Sequence, residues 1–246
     1  MDFLKEYIKK YDINDKDVNY KYYHSYRVMD NMELLAKNMS LPQYDIYLAK
    51  CIGLLHDIGR FEQTTKYHNY NDFKFDHGNY AEKVLREENL LKNFEIKEED
   101  YEVVYKAIKN HNKFAIEEGL TNREMLFAKM IRDADKLDIL YAIGNDAMKK
   151  IFVQDDSEIS EYIKEDFFKN KILMNKEDST RSDRIIIKFG FVYDINFNIT
   201  LEIIKENKYY EKILKRLNDK EKYAPYLEHT LNYIDERIKK YVRKKI

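Results

Sequence analysis

The chain has 246 residues, of which 44% are hydrophobic and 36% are charged, and its net charge is −1. This composition predicts a globular protein with a substantial core, and the near-zero charge argues against nucleic-acid binding as its main function. A single cysteine, Cys51, excludes a disulfide within the chain. No apolar stretch approaches the ~18 residues of a membrane span, and the charged N terminus lacks a signal core. We therefore expect a cytoplasmic protein without a membrane partner.

The scarcity of glycine and proline, six and two residues, disfavours a strand-rich fold. Tight turns between strands usually carry these residues. Most of the chain instead has the apolar periodicity of amphipathic helices. Predicted helices cover, in chain order, about 19–40, 42–56, 77–91, 98–111 and 121–147, then 158–171, 202–217 and 223–242.

Three local patterns refine this assignment. Thr121 and Glu124 have the spacing of a capping box, which starts the fifth helix. Residues 61–76 are polar and aromatic without clean periodicity, which predicts a long loop. Residues 184–193 include three consecutive isoleucines, but an isolated strand would have no partner, so we predict a helix there. The fold class is therefore all-α, and a single helical domain is expected.

His56 and Asp57 stand directly after the apolar run Cys51–Leu55, at the predicted end of a helix. Burying either side chain without a partner costs free energy. Imidazole and carboxylate groups are both ligands of divalent metals, so one metal site would account for the pair. Four more candidate ligands lie on or beside other predicted helices: His24, His77, His111 and Asp135. Helix bundles build metal sites from facing side chains in this way.

The order of these residues resembles that of the HD superfamily of metal-dependent phosphohydrolases. His24, His56, Asp57 and Asp135 carry the resemblance, and His77 and His111 lie where two-metal members have additional histidines. The phrases LLHDIGRFEQ, DHG, IKNHN and IRDADKLDILY are similar to one bacterial subgroup of HD hydrolases. The resemblance covers about residues 19–142 and implies a helical bundle of the HD type. Residues 143–246 lie outside the resemblance, and their periodicity predicts a C-terminal helical extension.

The resemblance also implies roles for the ligands. His24, His56, Asp57 and Asp135 would hold a first metal, and Asp57 would bridge to a second metal held by His77 and His111. In such a centre two metals about 3.5–4 Å apart share a hydroxide that attacks the phosphoryl group. We expect one or two divalent ions, Mn, Fe, Mg, Co or Ni. Each residue also has a structural interpretation, as a buried or helix-end polar group or, for Asp133 and Asp138, as a salt-bridge partner.

Three cations are candidates for binding the substrate or assisting catalysis. Arg60 follows Asp57 by three residues, and its fork of donors suits phosphate oxygens. Lys136 adjoins Asp135 and would neutralise a phosphate or pair with Asp133. Arg27 lies one turn after His24. For all three the alternative is a structural salt bridge.

The function expected from these residues is hydrolysis of a phosphoester or pyrophosphate bond, in a nucleotide or related small molecule. Two alternatives stay open at this point. The same ligand order is similar to that of HD-type di-iron oxygenases, and a third hypothesis is a non-catalytic nucleotide-binding sensor module. The sequence does not predict the oligomeric state.

Overall fold

The structure is a computed structural model that describes residues 3–145 and 157–245. All regular secondary structure in these two ranges is helical, which confirms the predicted fold class. No described helix is both long enough and apolar enough to cross a bilayer. The α-helices are α1 (Phe3–Tyr7), α2 (Lys16–Asn38), α3 (Gln43–Leu55), α4 (Ile58–Tyr67), α5 (His77–Glu87), α6 (Tyr101–Asn110), α7 (Asn122–Gly144), α8 (Glu161–Phe168), α9 (Arg181–Phe189), α10 (Asn198–Glu206), α11 (Tyr209–Arg216) and α12 (Lys220–Lys245).

The chain divides into two compact units, and the boundary falls inside α7, between Asp135 and Lys136. The single domain expected from the sequence, with a core over 19–142 and an extension over 143–246, stays a prediction. The predicted end of the fifth helix at Ala147 lies outside the described residues.

The first unit is organised around the pair α2 and α3, which pack along each other. Asp15 caps α2 by accepting hydrogen bonds from the backbone of Asp17 and Val18. Helix α3 is apolar on most of its surface and is surrounded by neighbours, because both α2 and α6 pack against it. Helices α4 and α5, and then α5 and α6, pack in sequence order.

An ion-pair network fastens the start of α7 to the rest of this unit. Arg123 donates to both carboxylate oxygens of Asp45 on α3, at 2.7 and 3.1 Å. It also donates to buried Asp100, which precedes α6, at 2.8 Å. The predicted capping box is confirmed, since the Thr121 backbone N–H donates to Glu124 Oε2 and the Glu124 backbone N–H donates to Thr121 Oγ1.

The second unit contains the last turns of α7 together with α8–α12, around a separate apolar core. Its largest fully buried side chains include Phe167, Phe189 and Tyr210. The helix predicted over 184–193 is confirmed as α9 followed by a 3₁₀ turn. A capping box between Thr180 and Asp183 starts α9. The helix predicted over 202–217 is two helices, because Lys208 adopts a left-handed conformation with φ 53°.

The loop predicted over 61–76 is wrong in its first half, since α4 continues to Tyr67. The buried face of α4 carries polar residues, which concealed its periodicity. Thr64 is buried, and its Oγ1 donates to the Arg60 carbonyl at 2.8 Å. Gln63 is fully buried and donates to the carbonyls of Asn71 and Phe75. Polar side chains whose groups are satisfied in this way can form part of a core.

The close approach of α2 and α3 depends on Gly53. A Cβ atom at this position would lie 2.7 Å from the Cα of Met29, on the backbone of α2. Real Cβ atoms essentially never come so close to a neighbour. The two helices would have to separate to admit any larger residue.

We therefore expect Gly53→Ala to lower the free energy of unfolding by on the order of 1–3 kcal/mol, the usual cost of overpacking a core. Urea denaturation followed by circular dichroism measures the change. Gly144→Ala is the matched control, because the added atom would meet the Lys212 side chain at 3.2 Å. An equal loss in both variants would show that the effect does not come from the contact between α2 and α3.

Candidate metal centre

The first unit brings together all six residues predicted as metal ligands. His24 lies in the middle of α2, His56 and Asp57 occupy the junction between α3 and α4, and His77 begins α5. His111 directly follows α6, and Asp135 lies on α7. The four histidines and Asp57 are buried, whereas the Asp135 side chain retains 18% exposure.

Asp57 is at the centre of this cluster, and its two oxygens face two different pairs of histidines. Oδ2 lies 3.3 Å from His24 Nε2 and 3.5 Å from His56 Nε2. Oδ1 lies 3.3 Å from His77 Nε2 and 3.5 Å from His111 Nε2. Asp135 completes the first pair, with its Oδ1 3.1 Å from His24 Nε2.

Two sets of these residues have ligand atoms close enough to share one metal ion. The first consists of His24, His56 and Asp135. The second consists of His56, Asp57 and His111. His77 is in neither set, but its Nε2 lies 2.9 Å from that of His111.

The helix ends determine which ring nitrogen points inward. The last carbonyls of an α-helix lack partners within the helix. His56 and His111 each follow a helix, and their Nδ1 atoms donate to the carbonyls of Gly53 at 2.7 Å and Ile108 at 2.6 Å. A neutral imidazole that donates from Nδ1 has a lone pair on Nε2. Both rings therefore present a lone pair to the cluster.

His77 has the same orientation through a side chain. Its Nδ1 lies 2.7 Å from Asp72 Oδ1, an acceptor, so the lone pair is again on Nε2. The Nε2 atoms of His77 and His111 therefore face each other with a lone pair on each. That arrangement is repulsive in the bare protein, and a cation between the rings would remove the repulsion. This donor set of imidazoles and carboxylates fits a divalent first-row metal.

Electrostatics also favour a cation here. Burial would raise the pKa of the Asp57 carboxyl, but Lys21 and the surrounding histidines outweigh burial and hold the pKa well below its usual range. Burial likewise opposes ionisation of Asp135, and a hydrogen bond from His24, whose Nε2 lies 3.1 Å from Oδ1, holds the pKa of this carboxyl well below its usual value. Two ionised carboxylates therefore share the cluster.

Lys21 is a site residue that the sequence analysis missed. It lies on α2 one turn before His24, is 8% exposed, and its Nζ is 2.5 Å from Asp57 Oδ2. The ring centroids of Tyr20 and Tyr70 lie 5.9 and 5.6 Å from this Nζ. The available signal was a lysine three residues before a candidate ligand, on the same helical face.

Arg60 is close to the cluster, but its guanidinium is engaged by protein groups. Its Nη1 and Nη2 donate to the two oxygens of Asp72 at 2.9 and 3.0 Å, and Nη1 also contacts Gln63 Oε1. Only Nε turns towards Asp57, 3.8 Å from Oδ1. A contact of Arg60 with substrate stays a prediction, and the structure shows the alternative salt bridge.

The other two predicted cations also have partners. The Arg27 guanidinium lies 5.7 Å from the ring of Tyr20, which stacks on His24. Lys136 is buried in the second unit and forms an ion pair with Asp194 at 2.7 Å. Their roles towards substrate stay predictions. The two remaining histidines, His68 and His229, lie outside the cluster.

The segment that carries His111 is held by buried Arg132, a second residue that the sequence analysis missed. Arg132 Nη1 donates to the carbonyls of Asn110 at 3.0 Å and Lys113 at 2.6 Å. Lys113 in turn pairs with Asp76, the residue that caps α5 in front of His77. These contacts connect the two helix ends that present His77 and His111.

Comparison with known proteins gives one match. The sequence model of the HD domain matches residues 22–140, a range that contains all six clustered residues. No curated protein and no solved structure matches the chain significantly. The match confirms the resemblance to the superfamily, while the bacterial subgroup and the individual ligand roles stay predictions.

We expect His111 of the metal-free protein to remain neutral well below pH 6.5, because burial lowers its pKa to about 4. An NMR titration of its Cε1–H, assigned with His111→Gln, measures this value. The unfolded chain binds the proton at about pH 6.5 and the native protein does not, so stability should fall as pH decreases from 6.5 towards 4. A titration midpoint above 6 would contradict the expected burial effect.

Proposed function

We propose that this chain, whose residues 22–140 match the HD domain, hydrolyses a phosphoester or pyrophosphate bond, because members of the HD superfamily are generally metal-dependent phosphohydrolases. The substrate is a nucleotide or a related phosphorylated small molecule. The observation that carries the proposal is the position of Asp57, whose two oxygens face two separate histidine pairs. A carboxylate placed in this way suits a bridge between two divalent cations.

The residues divide naturally between two cations. His24, His56 and Asp135 would hold one, His77 and His111 would hold the other, and Asp57 would contact both. Bound divalent cations would activate a water molecule for attack near neutral pH and offset the charge of the phosphoryl group. The chain supplies the geometry, because helix-end carbonyls and Asp72 direct the imidazole lone pairs towards Asp57.

Lys21 is the protein group best placed to bind a phosphate oxygen. Without cations it neutralises Asp57, at 2.5 Å. Two divalent cations would exceed the charge of the two carboxylates and repel the ammonium, so its favourable partner becomes an anionic substrate. Lys21 and Asp135 retain small exposed fractions of 8% and 18%, which indicates that substrate approaches from this edge. This cation favours a phosphorylated substrate over the oxygenase alternative.

The first test is turnover. We expect the metal-stripped protein, reloaded with Mn, Mg, Co, Ni or Fe(II), to release phosphate from at least one member of a panel of phosphomonoesters, pyrophosphates and nucleotides. His56→Gln and Asp57→Asn should lower the rate by more than about 100-fold, because each removes a ligand. His229→Gln, which changes a histidine outside the cluster, is the control.

Three results would contradict the proposal. The first is the absence of turnover with every metal, and the second is unchanged turnover in both ligand variants. The third is oxygen uptake by the iron-loaded protein without phosphate release, which would favour the di-iron oxygenase instead. Tight nucleotide binding without consumption would favour the sensor module.

The second test concerns Lys21. We expect Lys21→Gln to raise KM by about 10–100-fold, the loss of one charged hydrogen bond. The number of bound metal ions should stay the same, because Lys21 is not a ligand. Lys21→Arg should retain part of the affinity, and Lys66→Gln, on exposed α4 surface, serves as the control. A KM unchanged in Lys21→Gln would exclude Lys21 as a phosphate contact.

A further inference from the structure

Asp72 lies in the segment 68–76, between α4 and α5, in a stretch that carries no ligand motif. Its side chain is 38% exposed, yet it contacts a buried ligand. Asp72 Oδ1 accepts a hydrogen bond from His77 Nδ1 at 2.7 Å. The Arg60 guanidinium holds the same carboxylate through both oxygens, at 2.9 and 3.0 Å. Asp72 therefore connects Arg60 to a candidate metal ligand.

The buried amide of Gln63 fixes the segment around Asp72. Its Nε2 lies 3.3 Å from Asp72 Oδ1 and donates to the backbone carbonyls of Asn71 at 3.2 Å and Phe75 at 3.0 Å. The carboxylate therefore has a defined position in spite of its partial exposure. Such fixed partners are what an orienting group needs in order to hold an imidazole in one state.

His77 needs this contact for a reason that does not apply to the other helix-end histidines. His56 and His111 follow their helices, where the carbonyls of the last turn, Gly53 and Ile108, accept the Nδ1 proton. His77 is the first residue of α5, and a helix N terminus offers free N–H groups, not carbonyls. An acceptor for Nδ1 must therefore come from another part of the chain.

A competing donor makes the requirement stricter. Asn112 Nδ2 lies 3.2 Å from the same His77 Nδ1. Without Asp72, this amide would donate to Nδ1 and leave the ring proton on Nε2. The proton would then point at Asp57 and His111 and would block a cation. Two neighbouring groups thus favour opposite tautomers, and the carboxylate decides between them.

We propose that Asp72 is the positioning residue that holds His77 as its Nδ1–H tautomer, and that this tautomer enables His77 and His111 to bind a cation. Arg60 orients the Asp72 carboxylate through its two hydrogen bonds and is not the primary contact for substrate. The part of the proposal that concerns cation binding rests on the proposed metal-dependent function. The tautomer itself is a property of the metal-free chain.

The first experiment reads the tautomer directly. Long-range ¹H–¹⁵N NMR spectra of the metal-free, ¹⁵N-histidine-labelled chain distinguish a protonated Nδ1 from a protonated Nε2. We expect wild-type His77 to carry its proton on Nδ1, and Asp72→Ala to move the proton towards Nε2. Glu62→Gln, which removes the same charge from α4, should leave the spectrum unchanged. An Nδ1–H tautomer that persists in Asp72→Ala would overturn the proposal.

The second experiment measures cation affinity by equilibrium dialysis with Mn²⁺. We expect wild type to bind two ions, and Asp72→Ala to weaken one of them by about 10–100-fold while the other is unchanged. Asp72→Asn retains an acceptor oxygen and should lie between the two, which keeps the test valid if Asp72→Ala does not fold. Two unchanged affinities in Asp72→Asn and Asp72→Ala would contradict the proposal.

The two experiments separate this inference from the function on which it rests. A wild-type chain that binds no Mn²⁺ would contradict the metal-dependent function, while the tautomer measurement would still decide the role of Asp72. A wild type with two bound ions, combined with unchanged Asp72 variants, would contradict only the role of Asp72.

Discussion

A buried carboxylate, a second carboxylate that is partly exposed, and four buried imidazoles lie close together in this protein, and the position of each group is constrained by the need to balance charge. Asp57 is 2% exposed and ionised, so a positive partner must lie beside it. Lys21 is that partner in the bare chain, and it comes from the same face of α2 as His24. Three further elements meet at Asp57, because each carries a candidate ligand that contacts it: the junction of α3 and α4, the N terminus of α5 and the end of α6.

The helices supply more than a scaffold for these ligands. A histidine placed just after a helix meets a carbonyl that the helix leaves unpaired, and this contact determines which nitrogen faces the cluster. His56 and His111 use this device, so their tautomers follow from secondary structure alone. His77 begins a helix and requires a carboxylate from outside it. The difference explains why His77 is the histidine that the network of Arg60, Gln63 and Asp72 orients.

Small residues set the distances between these elements. Gly53 allows α3 to approach the backbone of α2, and it also supplies the carbonyl that orients His56. Gly59 has a similar place, since a Cβ there would collide with the His77 carbonyl at the start of α5. Packing density and ligand geometry are therefore coupled, because the residues that let helices approach lie within a few positions of the ligands.

The helical class, most helix positions, the capping box at Thr121 and the six clustered residues were all predictable from the amino-acid sequence alone. Those features depend on local periodicity and on residue types that are rarely buried without a partner, so the linear sequence is enough to predict them. The helix α4 was missed because its buried face is polar, and only the tertiary structure shows where Gln63 and Thr64 find their partners. Lys21, Arg132 and Asp72 were missed for a related reason. A charged residue in a sequence has many candidate partners, and the partner that it contacts depends on which groups the folded chain brings close to it. Only the tertiary structure shows that Arg60 pairs with Asp72 and that Lys21 pairs with Asp57.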